Sequence, residues 1–237
     1  MAKSRLTHAG KVKALLTAIA KDERAMLKLG VAMLSARAKD DDSSEAVPFF
    51  PLDLLALGAI KRNVAAASAM RQMVRAWNMV CARTLLRTHI DTALRFSAAW
   101  LVDEPHKFAD KVLRGDRIDQ LRDSKGRVLK DRYLVEIHSA RRAWLRDVYS
   151  SLSGYVHFSG AHFYDAVHAL DEESRTISLL VSARDESYPE FSWIEILECF
   201  REATEMLAEL LHGYRMTKGL SRTELEALRS RQSKGGQ

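Results

Sequence analysis

Arg87, Asp91 and Arg95 stand at i, i+4 and i+8, a spacing that stacks them along one face of a helix. At about 100° per residue that line falls beside Met73, Trp77 and Val80, away from a solvent stripe. Charges in such a place must be paired, because an unpaired buried ion costs several kcal/mol. Two chemistries fit. Arg87 and Arg95 can receive an anion between their guanidinium groups while Asp91 orients them, or the three can form an internal salt-bridge network that fixes helix register. Tyr149, Ser153 and His157 repeat the spacing, and Ser159 and His162 follow within five residues. A phenol, hydroxyls and two imidazoles thus gather where a helix gives way to glycine-rich backbone. Imidazole is the side chain best suited to proton transfer near neutral pH. His157, His162 and Arg87 are therefore the catalytic candidates. Arg87, Asp91, Arg95, Tyr149, Ser153 and Ser159 are the candidates for holding substrate or anion. The competing reading is that Tyr149 and His157 bond to neighbouring helices as ordinary half-buried groups.

Other chemistries find no foothold. His157 and His162 have only Asp165 near them and no His-Glu-x-x-His pattern, so no metal site is expected. Phosphate-binding glycine loops and a serine nucleophile elbow are absent, and no cofactor is expected. Trp77, Trp100, Trp144 and Trp193 are dispersed over several elements, as core-filling residues are.

The elements that must position these residues are helices. Residues 6–38 place Val12, Leu15, Leu16, Ile19, Leu27, Val31 and Leu34 at three- and four-residue spacing. An acidic connector, 40–51, ends in Pro48 and Pro51. Residues 52–102 lack proline and are too long for one helix. Two are expected, divided around 63–68, and the second, 69–102, is apolar on most of its circumference, as a long central helix is. A short helix over 105–114 precedes a polar stretch, and 130–156 reads as helix again. Residues 162–170 and 176–182 are rich in β-branched and aromatic side chains around an acidic turn, which predicts a β-hairpin. Ser192-Trp193-Ile194-Glu195 has the form of a capping box opening a last helix. The fold class is all-α: a helical bundle, 52–218, with a long central helix and one small β-hairpin, preceded by a basic helical segment, 1–39, and followed by a polar basic tail, 219–237.

Composition sets outer bounds. The 237 residues are 47% hydrophobic and 29% charged, with four Pro and 11 Gly, which suits one globular domain and not a disordered chain or a turn-rich sandwich. Cys81 and Cys199 are the only cysteines, so no disulfide framework is expected and the location is read as cytoplasmic. No apolar run reaches the roughly 18 residues of a membrane span. The net charge of +6 is unevenly spread: residues 1–39 carry +7 and 214–237 carry +4, whereas 50–213 carry −1. Basic ends of this kind bind phosphate backbones or serve as solubilising flanks.

Two stretches carry a resemblance. Residues 78–95 include Ala82-Arg83-Thr84-Leu85-Leu86-Arg87, then Asp91 and Arg95; residues 149–162 read Tyr-x-x-x-Ser-Gly-Tyr-Val-His-x-Ser. Over 50–216 the chain resembles bacterial all-helical proteins and, distantly, the HEPN superfamily of toxin–antitoxin and phage-defence bundles. Many HEPN members are metal-independent ribonucleases using an Arg and a His four to six residues apart. Arg83 with His89, and Arg132 with His138, have that spacing, although Thr84 and Tyr133 follow where the motif favours Asn, Asp or His. The resemblance implies RNA binding or cleavage without metal in a defence or stress setting, with the basic termini contacting RNA. The alternatives are a non-catalytic interaction or regulatory module, with a protein partner or as a homo-oligomer, and a small-anion sensor clamping its ligand between Arg87 and Arg95.

Overall fold

The computed structural model describes residues 10–34 and 49–218, with 220, 223 and 224. These form α1 (Gly10–Leu34), α2 (Pro51–Arg75), α3 (Met79–Ser97), α4 (Pro105–Leu113), α5 (Asp131–Ser139), α6 (Trp144–Val156), α7 (Gly160–Ala166), β1 (Val167–Asp171), β2 (Thr176–Leu179) and α8 (Glu190–Thr217). The architecture is an all-α bundle with one two-stranded antiparallel hairpin. The 40–48 part of the connector and nearly all of the 219–237 tail lie outside the described residues.

The central helix is α3, which packs against α2, α5, α6 and α8. It is shorter than the 69–102 expected, because the break falls at 76–78 and not around 63–68. Residues 63–68 hold three alanines in a row and continue as helix, with Asn63 turned inward toward Thr204. The chain reverses where Trp77 takes a left-handed φ of 60° and Asn78 caps α3, its Oδ1 accepting from the Cys81 amide at 2.9 Å. Trp77 meets Trp193 edge-on across this turn. The helix expected over 130–156 is likewise two, α5 and α6, and Arg142 at the break pairs with Glu209 of α8 at 2.6 Å. Neither proline nor glycine marks that turn.

Other bounds shift for local reasons. Beyond Glu23, which pairs with Arg71 of α2, the buried face of α1 is Met26, Leu29 and Met33. Leu27, Val31 and Leu34, expected inside, are half exposed or more. His162 belongs to α7 and not to a strand, since Ser159 caps a helical turn there. Helix α8 begins at Glu190 behind Pro189, so Ser192 sits inside its first turn, buried, and the expected cap at that residue does not form.

Helices α1, α3 and α8 run the same way and α2 runs against them: Glu23 reaches Arg71, Gly30 approaches Ile60, and Trp77 and His89 lie level with Trp193 and Thr204. At the far end Asp53, fully buried, accepts from the Phe50 amide, the Tyr214 hydroxyl and the Lys218 ammonium, fastening the end of α8 to the start of α2.

Candidate functional site

The two polar lines meet. Arg87 of α3 pairs with Asp91 one turn on, and its guanidinium carbon lies 3.5 Å from the ring centroid of Tyr149 on α6. The Tyr149 hydroxyl donates to Asp91 Oδ1 at 3.0 Å, closing a three-residue ring of contacts. Burial and the adjacent carboxylate of Asp91 push the Tyr149 phenol well above its ordinary pKa, so it stays a donor. Arg87 is 9% exposed. This staple ties α3 to α6 and leaves little of the Arg87 cation for a ligand.

Arg95 turns elsewhere, donating to both carboxylate oxygens of Asp131 on α5 at 3.0 and 3.1 Å. Arg87 and Arg95 therefore serve different carboxylates. On α6, Ser153 donates back to the Tyr149 carbonyl at 2.9 Å. His157 is the C-cap residue of α6, extended in backbone and exposed. Ser159 and His162 cap α7 reciprocally: Ser159 Oγ accepts from the Ala161 amide, and the Ser159 amide donates to His162 Nδ1, each at 3.3 Å. The Ser159 hydroxyl also donates to the Gly154 carbonyl at 2.8 Å. A side chain at Gly154 would come within 3.0 Å of that hydroxyl, so glycine keeps the corner tight. The residues expected to move protons thus build the joint between α6 and α7.

Arg83 extends the charged line one turn back and proves to be its most connected member. Its guanidinium lies 4.7 Å from the ring centroids of both Tyr155 and Tyr188. It donates to the Tyr188 hydroxyl at 3.0 Å and pairs with Asp165 at 3.2 Å, and the hydroxyls of Tyr155 and Tyr188 also bond to Asp165. This second staple joins α3, α6, α7 and the segment before α8. The 83, 87, 91, 95 periodicity was the available signal for Arg83; its three partners lie 72 to 105 positions away in sequence, where no spacing rule reaches.

The histidines at the Arg–His spacings are inward. His89 is fully buried, stacked on Phe200 and bonded through Nε2 to Thr204 at 2.9 Å; burial, with the nearby Arg62 charge, lowers its pKa to about 3. His138 bonds through Nε2 to Ser97 Oγ at 2.8 Å, and burial together with Arg142 and Arg141 lowers it to about 4. Both are neutral at pH 7. Among the described residues no three His, Cys, Asp or Glu side chains cluster as a metal site requires.

Several clefts border this framework. One of about 500 Å³ lies between α5 and α6, lined by Arg132, Val135, Glu136, Arg146, Tyr149, Ser150 and Ser153. Arg132 and Arg146 are exposed and take no part in the ion pairs of the described residues. Asp91 and Arg95 border a second cleft of about 350 Å³, with Arg62 and apolar walls from Leu54, Leu55, Phe96 and Leu113. Another, about 780 Å³ between α1 and α8, is rimmed by Asp22, Glu198, Glu202 and Glu205 and holds none of the catalytic or anion-binding candidates. Among the described residues no helix is long and apolar enough to cross a membrane. Comparison with protein-family models, curated proteins and solved structures returned no match.

Proposed function

We propose that this chain is a non-catalytic binding module whose ligand carries phosphate, with RNA the ligand that its basic flanks favour. The α5–α6 cleft carries this reading. Arg132 and Arg146 offer guanidinium groups without carboxylate partners, and such forks match phosphate oxygens. Ser150 and Ser153 add hydroxyls, and the Tyr149 ring forms a wall that the Arg87–Asp91 staple holds still. No imidazole lines the cleft among the described residues and Glu136 is its one carboxylate, so no acid–base pair faces a ligand there and the reading is of binding. The proposal keeps the RNA partner and the defence or stress setting implied by the HEPN-like resemblance and leaves out cleavage.

The test is fluorescence anisotropy with a labelled RNA at low salt in EDTA. Arg132→Ala/Arg146→Ala should weaken binding at least roughly tenfold and lower the slope of log K against log salt by about one to two, as losing one or two phosphate contacts does. The RNA should remain intact throughout. Unchanged affinity in the double variant would sink the assignment of the cleft, and cleavage in EDTA would sink the non-catalytic reading.

A further inference from the structure

The hairpin is amphipathic, and its apolar side faces water. Its register sets Val167 opposite Leu179, Ala169 opposite Ser178, Leu170 opposite Ile177 and Asp171 opposite Thr176, with an irregularity between Val167 and Ala169. In an unbroken strand Val167 and Leu170, three apart, would point to opposite faces. The extra residue of a bulge restores the phase. One face therefore collects Val167, Leu170, Ile177 and Leu179, and continued alternation adds Val181. The other collects Ala169, Asp171, Thr176 and Ser178, with Leu180, 49% exposed, following in the same phase just past β2. A sequence patterned to bury one face instead leaves Leu170 63%, Ile177 53%, Leu179 54% and Val181 92% exposed. A two-stranded hairpin with neither face covered is marginally stable at best in water.

The outer edge is open as well. The Leu180 amide donates to the Ala166 carbonyl at 2.8 Å, so positions 176, 178 and 180 turn their backbone groups toward β1. Those of Ile177 and Leu179, where β2 ends, point the other way, and Val181 joins them if the strand lengthens by two residues. Edges of this kind are normally guarded by charge or proline. Residues 176–183 contain neither, in a chain that is 29% charged.

We propose that a second copy of this chain covers the hairpin, β2 pairing antiparallel with β2 of the other copy across a two-fold axis at Leu179. That axis sets Leu179 opposite its own copy and Ile177 opposite Val181, so the pairing lengthens β2 by two residues. Every outward backbone group then meets another, in three hydrogen-bonded pairs, and apolar side chains neighbour only apolar ones along the shared face. Charge selects the same occupant. A two-fold contact brings each residue near the axis against its own copy, so any charge there would meet its like. Residues 176–183 hold none. Phe158 and Tyr164, 96% and 74% exposed in the segment that leads into β1, extend the exposed apolar surface toward the roughly 800 Å² per partner of a standard interface. This proposal is independent of the phosphate cleft.

Sedimentation of the full chain over a range of concentrations tests it. The wild type should sediment at twice the mass of one chain, and Leu179→Lys should fall to the mass of one chain with its helical circular dichroism unchanged. In a Cys81→Ser background, Leu179→Cys should form a covalent dimer on mild oxidation, since opposed residues of a hydrogen-bonded pair lie about 5.5 Å apart at Cα, within disulfide reach. Thr176→Cys, whose opposite residue is Ser182, should not. A monomer at all concentrations overturns the proposal, as does a dimer that Leu179→Lys leaves intact. A dimer that Leu179→Lys dissociates but Leu179→Cys does not cross-link overturns the axis.

Discussion

Arg87 shows how a buried cation is made tolerable. Its charge is met by the Asp91 carboxylate, its flat face by the Tyr149 ring, and Asp91 is held in place by the phenol of that same tyrosine. Removing the carboxylate leaves a cation that is 9% exposed without its counter-charge, which is the costly way to break such a pair. Asp91→Ala should therefore destabilise the fold by about 3 kcal/mol, while Tyr149→Phe, which keeps the stacking and loses one hydrogen bond, should cost about 1 kcal/mol. Urea denaturation measures both. If Asp91→Ala unfolds at the wild-type midpoint yet no longer binds RNA, Asp91 is a ligand-binding residue and not a staple. The i, i+4, i+8 spacing showed that Arg87, Asp91 and Arg95 share a face. It did not reveal that Arg95 belongs to Asp131 or Arg83 to Tyr155, Tyr188 and Asp165, because those partners are chosen by helix packing and not by periodicity.

Helices were legible wherever an apolar stripe persisted, and their ends only where a residue at the end carried the signal. Asn78 was such a residue: it supplies the cap for α3, although the apolar pattern running through Trp77 concealed it. Replacing it with Ala should cost about 1 kcal/mol, as loss of a side-chain cap does, read as a lowered urea midpoint with an unchanged m-value. The break between α5 and α6 is of another kind. Ala140, Arg141, Arg142 and Ala143 are good helix formers, and what turns the chain is the chance for both helices to pack on α3 while Arg142 reaches Glu209. The hairpin lay between these cases. Its turn at 172–175 falls where the acidic residues placed it, but its first strand is shortened by the helical turn that Ser159 and His162 cap.

At the scale of the molecule, α1 is part of the core and not an appendage. Val12, Ile19 and Met26 are buried against α2 and α8, so deleting residues 1–34 should abolish cooperative unfolding and the near-ultraviolet circular dichroism of a packed core. Its basic charge must be examined by neutralising exposed Lys13, Lys21, Arg24 and Lys28, which leave that packing untouched. The common direction of α1 and α8 has one more consequence. Lys11, at the start of α1, pairs with Glu198 two turns into α8, and Lys218, just past the end of α8, sits at the opposite end of the bundle beside Asp53. A 25-residue helix rises roughly 35 Å, so Gly10 and Lys218, the described residues next to the chain's two basic ends, lie about one turn of duplex apart. A mononucleotide cannot touch both; an extended polyanion can, and shortening the RNA below that length should make the two flanks energetically independent.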